Sequence, residues 1–373
     1  MKIAILTHPL GTNYGGMLQN YALQHVLKEM GHDPITLHYS FGVSWKIKVL
    51  SFFSHLFKRM KGENVPLRVW TTQKEYTEIT RHTEAFIKKN ISTTTHFVFD
   101  DLKSQIGCDK EAVIVGSDQV WRGKNPDVTR FYLSDFQELN IKKIAYAASF
   151  GVDYWECTPE ETLQCARLAQ MFDAISVRER SGVELCKNYL HVVAEPVLDP
   201  TLLLTKEDYN RLLISKPTGE QEKYLLSYVL DQDSTKQAIL KKATEALQLS
   251  EKSVMVEKKF NEVGRKGLEQ CVFAPVENWI EGFKDAEYVV TDSFHGTVFS
   301  IIYHKPFISI VNKGRGADRF VSLLSLLHLE DRLVENTNDA VKVINNPIDY
   351  QTVDVILESE RKKSKEFLKI NLK

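Results

Sequence analysis

Four stretches of this 373-residue sequence end an apolar run or a glycine-rich turn on side chains that could hold or activate a small ligand. The richest spans residues 289–320, where an apolar strand stops at Thr291, Asp292 and Ser293 and a helix follows with His295 and Gly296 in its first turn. A helix N-terminus carries spare N–H groups and partial positive charge, which suits Ser293 and Gly296 to seat a phosphate. Histidine is the side chain whose unperturbed pKa lies near neutrality, so His295 could move a proton there. The next strand empties into Lys313, Arg315 and Arg319, cations that would hold an anion beside it.

Residues 113–121, VIVGSDQVW, read as a buried strand that stops at Gly116 and presents Ser117, Asp118 and Trp121 at its carboxyl end. Ligands of open α/β sheets bind at that end. Asp118 could accept from or deprotonate a sugar hydroxyl, and Trp121 could stack on the ring; a Ser-Asp pair after a strand also serves as an ordinary helix cap. In SVRERSG, residues 176–182, Arg178 and Arg180 could pair with carboxylate or phosphate, or equally with a neighbouring acid. The turn GTNYGGMLQNYAL, residues 11–23, offers Asn13, Tyr14 and Gln19 to a hydroxyl-rich ligand, although Gly15 and Gly16 equally serve a tight turn. Its spacing is not GxGxxG. No cluster of His, Asp, Glu or Cys has ligand spacing, so neither a metal nor a cofactor is expected.

Such residues need a frame that brings strand ends together. Short β-rich runs recur at 2–7, 112–115, 144–147, 174–177 and 192–193, with helix-like stretches at 158–172 and 181–189. A second set fits 223–230, 253–256, 288–291 and 307–311. Strands alternating with helices predict an α/β protein with mostly parallel sheets. The loop at 216–222, with Pro217 and Gly219, sets the expected division: an N-terminal Rossmann-like domain over 1–215 as the acceptor side, a second over 216–348 as the donor side, and a C-terminal helix over 349–373 packing back on the first. Two Rossmann-like domains facing across a cleft is the GT-B-like architecture.

Composition narrows the function. With 48 Lys and Arg against 49 Asp and Glu, no global field favours nucleic acid. Five scattered cysteines without a CxxC pair, and an N-terminus that reads as a strand, predict a cytoplasmic protein. Residues 45–61 break the alternation with apolar residues among five cations, a pattern that fits either a helix packing on its own domain or peripheral contact with the inner face of a membrane.

Taken in order, GTNYGGMLQNYAL, GSDQVW, SVRERSG, VLDPTLLL at 197–204 and TDSFHGTVFS followed by HKPFISI resemble the polysaccharide pyruvyltransferase family, over residues up to about 335. The resemblance implies a GT-B-like transferase that uses phosphoenolpyruvate as co-substrate to build a pyruvyl ketal on a sugar or lipid-linked glycan of a surface or exopolysaccharide. It carries the family's donor-site histidine onto His295 and its arginine onto Arg178 or Arg180, with Arg178 preferred. Ser293 stands where many members have an arginine, so Lys313 or Arg315 is expected to substitute. His295 is then the acid, and Asp118 the acceptor-side base. The rival readings are a glycosyltransferase using a sugar nucleotide and a non-catalytic glycan-binding relative.

Overall fold

A computed structural model of the chain describes residues 1–42, 45–63, 65–105, 109–213, 222–312, 314 and 316–373. Its first sheet begins with β1 (Lys2–Leu6) and β2 (Asp33–Thr36); a separate pair, β3 (Tyr39–Ser40) and β4 (Phe97–Val98), follows. The sheet then takes in β5 (Ala112–Val115), β6 (Lys142–Ala148), β7 (Ala174–Val177) and β8 (Glu195–Pro196), all parallel, in the order β2-β1-β5-β6-β7-β8. A second parallel sheet holds β9 (Tyr224–Tyr228), β10 (Ser250–Ser253), β11 (Tyr288–Thr291), β12 (Phe307–Ile310) and β13 (Leu333–Val334), ordered β10-β9-β11-β12-β13.

The inner strands are buried on both faces because helices cover both. Along β1, Ile3 and Ile5 enter one core and Ala4 and Leu6 the other, the two-residue alternation of a strand. The core that receives Ile3 and Ile5 continues into the second sheet through Leu226 and Val289 and includes Phe299 of the helix Phe294–Ile302. The predicted architecture therefore holds: two Rossmann-like α/β halves whose strands point their carboxyl ends at a shared cavity.

The last helix, Tyr350–Asn371, is capped by Asp349 and crosses back to the first half. There Phe367 meets Tyr146, Ser364 Oγ accepts from the Leu198 amide at 3.0 Å and Arg361 Nε donates to Leu202 O at 2.6 Å. Its first turn stays with the second half, where His304 Nε2 lies 3.0 Å from Asp354 Oδ1.

Two strands depart from expectation. The strand expected at Val192–Val193 is β8, three residues later, and Val193 is 89% exposed. The strand expected at 253–256 is β10, whose Ser-Glu-Lys-Ser sequence is exposed throughout and is a strand only through its backbone pairing with β9. Apolar β-propensity misleads at a sheet edge, where the ladder supplies what side chains do not. The division expected at 216 falls outside the described residues; the last strand of the first sheet ends at Pro196 and the first of the second begins at Tyr224.

Candidate active site

In each sheet the chain leaves a first strand to one side and returns to the other, which creates a switch point between β1 and β5 and another between β9 and β11. Crevices at such points are where open α/β sheets bind ligands. Both open on one cavity of about 310 Å³, lined from the first half by His8, Asn13, Asp118 and Arg122 and from the second by Ser293, His295 and Arg319, among others.

At the first switch point Gly116 has φ of 121°, and a Cβ there would come within 2.2 Å of Tyr146 O, so only glycine fits. Asp118 itself adopts a left-handed φ of 71°. Its carboxylate accepts from the Gln119 amide at 3.0 Å and lies 3.5 Å from Arg178 and 3.6 Å from Arg319. Burial alone would raise its pKa; Arg178, with His295, His8 and Arg319, outweighs burial and holds the carboxyl well below the usual carboxylate range. That corrects the expected role of Asp118: a carboxylate pinned ionised between two guanidinium groups is a poor base, though still a hydrogen-bond acceptor.

At the second, Asp292 is fully engaged. It accepts from the Leu230 amide at 2.6 Å, Lys236 Nζ at 2.8 Å, Asn312 Nδ2 at 3.0 Å and the Asp231 amide at 3.3 Å, tying three strand ends and a helix together. Ser293 caps the helix Phe294–Ile302 by accepting from the Gly296 amide at 3.4 Å. The phosphate seat expected at Ser293 and Gly296 is thus partly used by the cap itself, and a Cβ on Gly296 would meet Thr291 Oγ1 at 2.2 Å. The amides of Phe294 and His295 make no hydrogen bond among the described residues.

His295 crosses to the first half. Its Nε2 faces Asp199 Oδ2 at 3.8 Å, and its ring lies so close to the loop-helix junction that a Cβ on Gly15 would sit 2.1 Å from Nδ1. Gly15 is therefore required by the histidine from the other half, not by its own turn. Asp199 lies within VLDPTLLL, where the sequence assigns it no role. It is buried, accepts from Arg178 Nη1 at 2.7 Å, lies 3.2 Å from Ser117 Oγ and caps its own turn through the Thr201 amide. Burial would raise its pKa, but the His295 ring and Arg178 prevail and keep it low. Arg178 and Arg319 stack on Phe294, at 4.5 and 5.4 Å from its ring centre. Burial and the neighbouring Arg178 push Arg319 down to about 10, which leaves it charged at neutral pH.

Thus Asn13, Asp118, Ser293 and His295 line one cavity, and Arg178 stands directly behind Asp118. Several expected contacts are corrected. Trp121 is buried, stacked on Tyr132 at 4.6 Å with its indole N–H donating to Phe131 O, so no face remains for a sugar. Tyr14 is buried too, its hydroxyl donating to Ala274 O. Gln19 bridges the ends of β1 and β5, from Nε2 to Thr7 Oγ1 and from the Ser117 amide to Oε1, and Ser117 lies wholly inside. Arg180 is exposed and borders a second, smaller recess beside Glu360, which meets the cavity at Phe294 and Arg319. Lys313 and Arg315 lie outside the described residues. Residues missed from sequence are His8, Arg122 and Asp199; the first two directly follow a strand and the GSDQVW motif.

A family model described as "Polysaccharide pyruvyl transferase" matches residues 13–314. No curated protein sequence matches the chain. Among solved structures, the chain is similar to the N-terminal domain of Candida albicans trehalose-6-phosphate phosphatase, at 12% identity and TM-score 0.49 over 100% of this chain and 96% of that one. It is similar to the glycotransferase of kitacinnamycin at 10% and 0.48, over 100% and 99%. A third is an S. aureus MnaA-UDP co-structure, at 13% and 0.47 over 98% and 91%. Scores below 0.5 carry no inference about chemistry.

Proposed function

Because the chain belongs to the polysaccharide pyruvyl transferase family, we propose that it transfers the pyruvyl group of phosphoenolpyruvate to two hydroxyls of one sugar in a polysaccharide or its lipid-linked precursor, forming a ketal. The observation that carries this reading is the convergence on one cavity of a helix N-terminus, His295, Arg122 and Arg319. That set matches a small ligand bearing both phosphate and carboxylate. We take the setting to be the cytoplasm, in keeping with the four free thiols among the described residues.

In the proposed sequence His295 protonates the methylene carbon of phosphoenolpyruvate, and the positive charge that develops at C2 is shared with its oxygen. A sugar hydroxyl attacks C2 and gives its proton back to the imidazole. Phosphate then leaves, a second hydroxyl closes the ring, and its proton departs with the phosphate. One proton thus ends on the new methyl group and one on phosphate, which balances the reaction. Asp199 holds the imidazole from behind and anchors Arg178. Asp118 serves as an acceptor for a sugar hydroxyl and as the counter-charge that spaces Arg178 from Arg319. Arg319 and Arg122 do the work expected of an arginine at the position of Ser293.

Incubation with phosphoenolpyruvate and a panel of nucleotide-linked and lipid-linked sugars tests the reading. Phosphate release with a pyruvyl mass increment on the sugar is expected. Release of a nucleoside diphosphate without phosphoenolpyruvate would replace it by glycosyl transfer, and glycan binding with no turnover would reduce the chain to a binding protein.

A further inference from the structure

The helix Trp45–Met60 lies on the protein the wrong way round. At 100° per residue all of its apolar side chains but Ile47, from Phe52 and Trp45 through Val49 and Phe53 to Leu50, fall in one arc of about 160°. A surface helix ordinarily buries that arc. Here Leu50 is 70% exposed, Phe53 61% and Met60 78%. The half-buried positions are instead Lys48, Ser51 and His55 on the polar side, with Leu56 alone from the apolar arc, and His55 Nδ1 lies 2.8 Å from Pro66 O. The protein therefore holds the helix by its polar stripe and presents its apolar stripe outward.

Charge identifies what the outward face meets. Between Asp33 and Glu63 the sequence has no acidic residue, while Lys46, Lys48, Lys58, Arg59 and Lys61 fall in or beside the helix of a chain whose net charge is only −1. Two copies meeting through this face would bring their cations together without a compensating acid, which argues against self-association. A neutral apolar partner would leave the cations unused. No described helix is long and apolar enough to cross a membrane. A basic helix with aromatic residues on its apolar face matches the interface of an anionic bilayer. We propose that Trp45–Met60 docks on an anionic lipid surface, with Leu50, Phe53 and Phe57 entering the acyl boundary and Lys58, Arg59 and Lys61 against the headgroups. This docking does not depend on the reaction assigned to the cavity.

The test is co-sedimentation of the full-length chain with phosphatidylcholine vesicles that contain or lack phosphatidylglycerol. Wild type is expected to pellet with the anionic vesicles, weaken with added salt and ignore the neutral ones. Lys58→Glu combined with Arg59→Glu and Lys61→Glu should lower partitioning by roughly 100-fold or more, near a fivefold loss for each charge removed. Leu50→Ser combined with Phe53→Ser and Phe57→Ser should also abolish it, with the melting temperature unchanged. Should the apolar variant misfold, the charge variant and the salt titration decide by themselves. Wild type that ignores anionic vesicles, or a charge variant that pellets like wild type, overturns the proposal. So does sedimentation as a dimer that the apolar variant dissociates, because a second copy would then own the face.

Discussion

Asp118 and Asp292 occupy equivalent places, each just past an inner strand at the switch point of its sheet, and both are buried. Their employment differs. Asp292 spends its oxygens on two amides, a lysine and an asparagine of its own half, at 2.6 to 3.3 Å. Asp118 has one short bond, to its neighbour's amide, and otherwise stands about 3.5 Å from the Asn13 side-chain amide and two guanidinium groups, the latter one from each half. The first is a rivet and the second a reserve: short bonds to backbone define a fold, while longer contacts to charge can be re-formed around a ligand. A strand-end aspartate thus does not announce its role; the donors around it decide.

The comparison is broken most severely at the side chain that shares Asp292's turn. His295→Asn should lower kcat by about 10² to 10⁴ with donor KM little changed, because it keeps hydrogen bonding but has no transferable proton. Steady-state kinetics with donor varied would check this, and loss of donor affinity with kcat intact would make His295 only an anion ligand. Next, Asp292→Ala should cost about 3–5 kcal/mol of stability by stranding Lys236, read from denaturant midpoints. Asp118→Asn should cost less stability and reduce turnover instead; equal losses of stability would erase the distinction drawn above.

Gly15→Ala should push the His295 ring aside. A loss of about 1–3 kcal/mol is expected from overpacking, with turnover falling further than the melting temperature alone explains. The smallest effect is in mild acid. Asp118 and Asp199 have folded-state pKa values held below the ordinary carboxylate value of about 3.9. Their contribution is complete above that value and is lost progressively as pH falls through it toward the folded values, so it is flat from pH 7 to about 5. Chemical denaturation repeated at descending pH should show the fall only below that range, and Asp118→Asn should make it shallower.

Local pattern carried much of this legibly. β5, β7 and β11 were readable as short apolar runs ending in Gly, Arg and Asp, and the cap at Ser293 with His295 behind it was readable from TDSFHG. Local pattern misled at Trp121, Tyr14 and Gln19, because an aromatic or amide beside a glycine turn looks the same whether it faces a ligand or a core.

The sequence by itself determined the alternation of strand and helix, the caps, and which residue types stand at strand ends, since each follows from neighbours a few positions apart. Tertiary structure alone decided that Asp199 stands behind His295, that Gly15 makes room for its ring, that Arg319 faces Asp118, and that the helix Trp45–Met60 turns its apolar stripe outward. In the first three cases the partners are separated by about a hundred residues or more, and only closing the two sheets on one another brings them into contact. In the last, periodicity specifies that a helix has two faces, and only packing determines which of them the protein keeps.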